Sequence, residues 1–190
     1  TPISIAAAGS SIYVGASDGV RVFDATASGS ASPVQTLSGA ATTIANGAGV
    51  AVYQGELYVV DTGGSVAVFP LDASGNVVPT RVIAGISTGL ANRVGISVGQ
   101  SLEFVTVDQP AGQVQAFVPT ASGNAVPLGN FSGGQTELVS PTSVAVDQTV
   151  VFVGTPSTQS IEVLLLSNDF GDFPPLQTIA NEDVQGLTVY

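Results

Sequence analysis

The chain has 190 residues, 44% apolar and 9% charged, with fourteen carboxylates against three basic side chains and a net charge of −11. That much apolar content excludes a disordered chain, and the lack of any basic stripe excludes nucleic acid and an anionic membrane surface as partners. Histidine, cysteine, methionine and tryptophan are absent, which excludes disulfides, thiolate nucleophiles and imidazole acid–base chemistry.

Strand-like segments and turn signals alternate along the chain. The first set is 3–7, 12–15, 20–24 and 34–37. The second is 49–53, 57–61, 65–71 and 80–84, separated by turns at 54–56, 62–64 and 72–79. The third is 94–98, 102–107, 113–118 and 128–131, and the fourth is 143–147, 150–154, 160–166 and 176–179. No window carries a helical period, and Pro and Gly interrupt every candidate helix.

These sets are copies of one unit. Phe23, Phe69 and Phe117 stand 46 and 48 residues apart, and Leu165 follows 48 later. Pro33, Pro79, Pro127 and Pro175 repeat the same steps. A period of this size with strand content predicts an all-β fold, a β-propeller of four four-stranded repeats. The repeats span 3–39, 47–85, 93–133 and 141–180 within a single domain, 1–190. The second and third strands are the most apolar, as expected of strands sandwiched between neighbouring blades. Small residues in the first strands (Ala51, Gly95, Ser97, Ala145) suit a crowded axis.

The chain continues past its fourth repeat. Residues 184–190 copy the opening strand at 49–53. A lone strand leaves backbone donors and acceptors unpaired unless another sheet receives it. The predicted assembly interface is therefore Gly186, Leu187, Thr188, Val189 and Tyr190, received by the first-repeat edge at Ile3 and Ile5 of another copy. Such a head-to-tail contact gives a ring or a filament, depending on whether the rotation closes.

The block Phe69-Pro70-Leu71-Asp72-Ala73-Ser74-Gly75-Asn76-Val77-Val78-Pro79-Thr80-Arg81-Val82-Ile83-Ala84-Gly85, followed by Thr88-Gly89-Leu90-Ala91-Asn92, resembles bacterial repeat proteins of the NHL type. It is also similar to lactonase-like propeller repeats. The resemblance covers essentially the whole chain and is strongest from about residue 49 to 127. It implies blades of four strands and a scaffold or binding module. Lactonase-like relatives use acidic and His or Asn groups around a central channel, and no complete set of these matches here. The fourth repeat departs from the pattern, with Asn168-Asp169-Phe170-Gly171-Asp172-Phe173-Pro174-Pro175 in place of the Ala-Ser-Gly-Asn turn.

The acidic candidates divide into two readings. Asp61, Asp108 and Asp147 near strand ends could form a calcium-binding ring of carboxylates, but Asp in Asp61-Thr62-Gly63-Gly64 is also the residue a tight turn favours. The turn reading is preferred, and no cofactor or metal is expected. Serines are abundant without a His or Lys base, so no catalytic residue is assigned. Asn130-Phe131-Ser132 is a glycosylation sequon at Asn130. Tyr13, Tyr53, Tyr58 and Tyr190 could stack on carbohydrate, although strand packing is the expected role of the first three.

Two functions compete. The first is a non-catalytic extracellular structural protein that self-assembles. Low charge, a Ser/Thr/Gly/Ala-rich surface and no oxidisable sulfur fit that setting, as does a start at Thr1 without Met, the pattern of a processed chain. The second is a ligand- or sugar-binding propeller, or a hydrolase acting on a lactone or sugar, with Asp18, Glu56, Asp61 and Asp108 converging at the channel mouth. A fragment of a larger propeller is a third alternative.

Overall fold

The computed structural model describes residues 1–99, 103–107, 112–166, 170–180 and 186–187, with the backbone alone at 48, 93 and 103–107. Sheet I consists of β1 (Pro2–Ala8), β2 (Ser11–Ala16), β3 (Gly19–Asp24) and β4 (Gln35–Leu37). Sheet II holds β5 (Gly47–Tyr53), β6 (Glu56–Asp61), β7 (Ser65–Pro70) and β8 (Arg81–Ala84). Sheet III holds β9 (Arg93–Val98), β10 (Glu103–Val107), β11 (Gln113–Phe117) and β12 (Gly129–Ser132). Sheet IV holds β13 (Ser143–Val146), β14 (Val150–Thr155), β15 (Ser160–Leu165) and β16 (Gln177–Ala180). Each sheet is an antiparallel meander in chain order. The strands match the predicted set to within two residues at either end. The all-β class and the four four-stranded repeats are thus present, and the described residues contain no α-helix.

Alternation of side chains explains why β6 from Leu57 to Val60 and β7 from Val66 to Phe69 are apolar. Leu57, Val59, Ala67 and Phe69 pack toward sheet I, against Tyr13, Val20, Val22 and Leu37. The intervening residues, Tyr58, Val60, Val66 and Val68, pack toward sheet III with Ile83 and Phe117. With period 2 a strand sandwiched on both faces buries successive residues on opposite sides, so both sets favour apolar side chains. The third interface joins Val114, Ala116 and Phe131 to Val144, Val151, Val153 and Leu164. A ring such as Phe69, fully buried, contributes about 1.5–3 kcal/mol to its interface.

Register corrects one anchor. Val114 pairs with Phe131, and Ile161 pairs with Ile179. The step from β11 to β15 is therefore 47, which makes Leu164, not Leu165, the counterpart of Phe117. Leu164 is buried and Leu165 is 48% exposed. A one-residue slip moves a side chain to the opposite face, and the altered loop after β15 absorbs it before β16.

The sequence pattern also missed three 3-10 turns, Ala40–Thr42, Ile86–Thr88 and Gly134–Thr136, because three residues leave no period. Each ends on a fully buried threonine. The Thr42, Thr88 and Thr136 hydroxyls donate to the carbonyls of Gly39, Gly85 and Gly133. The same oxygens accept from the amides of Ile44, Leu90 and Leu138.

The next sheet locks each of these turns. The Asn76 side-chain carbonyl accepts from the Ala41 amide at 2.7 Å, Asn124 accepts from Ser87 at 2.7 Å, and Asp172 accepts from Gln135 at 2.6 Å. A Cβ at Gly39 or Gly85 would collide with the Asn side chain it faces, so the turn needs glycine there. Beside this contact the loop adds a parallel bridge to the outer strand of the preceding sheet. The Gly75 amide donates to Thr36 and the Ser38 amide to Gly75, at 2.7 and 3.1 Å. The Gly123 amide donates to Val82 and the Ala84 amide to Gly123, at 2.6 and 2.9 Å. At the third junction the Ser132 amide donates to Gly171.

Candidate functional site

Three junctions join four sheets, which leaves one face of sheet I and one face of sheet IV at the ends. The β1–β2 and β5–β6 registers make Ile5 the counterpart of Val50, and β9–β10 and β13–β14 extend the position to Ile96 and Val144. Val50 and Val144 are 6% and 4% exposed, whereas Ile5 is 69% exposed. At the other end, Leu37, Ile83, Phe131 and Ile179 are counterparts. The first three are 0–3% exposed and Ile179 is 38% exposed. Every residue of β16 is solvent-exposed. Both end faces thus carry the apolar pattern of an interface, and no sheet among the described residues lies against them.

The predicted interface residues lie around one cavity of about 560 Å³. Ile3 and Ile5 from β1 line it, with Val50, Ile96 and Val144 from the later first strands, and Gly186 and Leu187 reach into it. Thr188, Val189 and Tyr190 lie outside the described residues. The hydroxyls of Ser4, Thr142 and Ser143 in the wall are buried and have no hydrogen-bond partner among the described residues.

The acidic candidates are separate and engaged. Asp61 is buried, and it accepts from the amides of Ala45, Asn46 and Gly63 at 2.6–2.7 Å, which is the turn role. Asp108 lies outside the described residues, and the residue paired where Asp61 pairs is Val107. Asp147 is exposed and accepts from the Gln148 amide. Asp18 forms an exposed ion pair with Arg21 at 2.8 Å. Among the described residues no group of three acidic side chains is placed to hold a metal ion.

Glu56 belongs to a contact that the sequence did not disclose. Arg81 donates to Glu56 at 2.8 Å, to the Tyr58 hydroxyl at 2.9 Å and to the Ala121 carbonyl of the neighbouring sheet at 3.0 Å. Its guanidinium also lies 5.3 Å from the Tyr58 ring centroid. Burial raises the Glu56 carboxyl, but the Tyr58 hydroxyl and Arg81 outweigh it and hold Glu56 below its usual range. Asp18 is also held low by its hydrogen bonds to Arg21, and Asp24 by those from Thr26. A depressed folded-state pKa stabilises above the unfolded value, about 4 for carboxylates, and that stabilisation is lost as pH falls through the folded value. The urea midpoint should therefore drop as pH is lowered from about 5 toward 3. Glu56→Gln should flatten part of that slope, and an unchanged slope would mean that the Glu56–Arg81 contact does not contribute.

Tyr13 and Tyr58 are buried in sheet interfaces and Tyr53 is half-buried, so these three form no open stacking platform. Tyr190 lies outside the described residues. Asn130 is half-buried in mid-strand β12, opposite Gln115, rather than in a loop. Among the described residues no helix is long and apolar enough to cross a membrane.

No protein-family model matches the chain, and no curated protein sequence matches it. Its fold is similar to two solved structures of computationally designed proteins. Ika4 aligns with a TM-score of 0.61 at 12% identity, covering 88% of this chain and 92% of its own. Ika8 aligns with a TM-score of 0.57 at 15% identity over 85% of this chain, and the chain spans about half (46%) of the Ika8 length.

Proposed function

We propose that the protein is a non-catalytic, extracellular structural β-propeller unit that assembles head to tail with copies of itself. The observation that carries this reading is the pair of unpartnered end faces, with Ile5 and Ile179 exposed where their counterparts are buried. The two faces are the two halves of one kind of junction, already made three times within the chain. A contact between them is heterologous and self-propagating. Two copies closing on each other would give eight sheets, within the ~4–8 blades of known propellers, and a rotation that fails to close would give a filament.

The terminal segment belongs to this reading because Gly186 and Leu187 line the same cavity as the first strands. Removing residues 186–190 should leave a chain with the parent's β-sheet circular dichroism that elutes as a monomer, while the parent forms multimers by light scattering. A truncated chain that assembles like the parent would remove the terminal segment from the interface.

A further inference from the structure

The structure assigns the contact between copies to a specific clasp: the loop around Gly29 of one copy bridges the edge of β16 in another. This rests on the self-assembly reading above and specifies its partner site. The argument starts from the three clasps within the chain. Each uses the glycine of the loop after the third strand, Gly75, Gly123 or Gly171, against the outer strand of the preceding sheet. By position the unused loop is Ala27-Ser28-Gly29-Ser30 in sheet I, and the unused edge is β16 in sheet IV.

Both halves have the form the clasp needs. Gly29 has φ +60°, close to the +77° and +63° of Gly75 and Gly123, and its loop is exposed on every residue. On β16 the positions equivalent to Thr36 and Ser38 are Thr178 and Ala180. Among the described residues no hydrogen bond joins this loop to β16 within the chain. In the clasp the Gly29 amide donates to the Thr178 carbonyl, and the Ala180 amide donates to the Gly29 carbonyl. Sheet I then covers Ile179 as sheet II covers Leu37. The occupant is a second copy of this chain, because its first sheet carries the loop and the apolar face of the other three junctions and the glycine conformation of the two at Gly75 and Gly123.

The chain has no cysteine, so introduced cysteines report the contact without background. In the clasps within the chain Asn76 lies beside Ser38, and the matching pair across copies is Ser30 with Ala180. Paired strands lie about 4.8 Å apart, within disulfide reach. Single variants Ser30→Cys and Ala180→Cys are mixed with an added oxidant, and the parent's mass is measured by light scattering. Hydrogen exchange of peptides spanning 26–32 and 177–180 is followed in the unmodified parent, which keeps the test independent of variant folding. The expected result is a covalent dimer from the mixture, none from either variant alone, and slower exchange of both peptides at high concentration. A multimeric parent with no cross-link and no protection overturns the clasp and leaves self-assembly standing. A monomeric parent in which the doubly substituted chain cross-links internally overturns both, since the loop then closes on its own β16. A monomeric parent without any cross-link also overturns both.

Discussion

Replacing Asp61 with alanine is expected to lower the folding free energy by about 3–5 kcal/mol. The carboxylate is 5% exposed and accepts three backbone amides. Two of these, from Ala45 and Asn46, belong to the segment that carries the chain from sheet I to sheet II. The third, from Gly63, closes the turn between β6 and β7. Alanine removes the acceptor from all three donors, and hydrogen bonds to a charged group contribute about 1.5–3 kcal/mol each before non-additivity and rehydration of the exposed turn are allowed for. Against a total stability of about 5–15 kcal/mol this is a large fraction. Asn at this position keeps one acceptor oxygen and should lose roughly half as much. Urea unfolding should show a lower midpoint with an unchanged slope. A loss below about 1 kcal/mol would mean that the three amides find other acceptors. A calcium-dependent loss would return the metal reading of Asp61, whereas the turn role predicts the same loss in calcium and in chelator.

The second large effect concerns one structural position in two settings. Val50→Asp should strongly destabilise the fold, because a carboxylate placed in the apolar contact between sheets I and II is buried without a cation, a penalty of several kcal/mol. Ile5→Asp occupies the counterpart position and should fold with stability within about 0.5 kcal/mol of the parent, since that residue is 69% exposed. It should nevertheless dissociate the assembly. In the proposed contact Ile5 takes the place Val50 has inside the chain, and a buried carboxylate there costs about 2–4 kcal/mol, roughly 30- to 1000-fold in affinity. Thermal unfolding and light scattering separate the two variants. Ile5→Asp that assembles as the parent does would remove the exposed face of sheet I from the interface.

Much of this could be read from the chain, for physical reasons. Strands buried on both faces favour apolar runs bounded by turn residues, so β6, β7 and β14 were legible, and β15 was legible despite the buried Glu162 at its middle. The anchor at Leu165 was misplaced because the turn between β14 and β15 is one residue shorter than that between β10 and β11, and spacing alone does not tell which of two adjacent leucines faces the core. The clasp was not legible. Asn76 and Asn124 read as ordinary turn residues, yet their hydrogen bonds reach 35 and 37 residues back to the preceding sheet. The repeated glycines at 39, 85 and 133 were the available signal, each followed in the next repeat by Asn, Asn and Asp at 76, 124 and 172. The end faces were legible only in part. The extra strand pointed to an unsatisfied end, but the difference between Val50 and Ile5 emerges only when their neighbours are in place.

The central claim is that the two end faces meet in different copies. Its most direct test is the mass of the purified protein across a range of concentrations, by light scattering, with electron microscopy of the most concentrated sample. The account predicts masses at multiples of 18.9 kDa that grow with concentration or settle at a closed ring, with rings or filaments visible. A uniform 18.9 kDa particle at every concentration would contradict it.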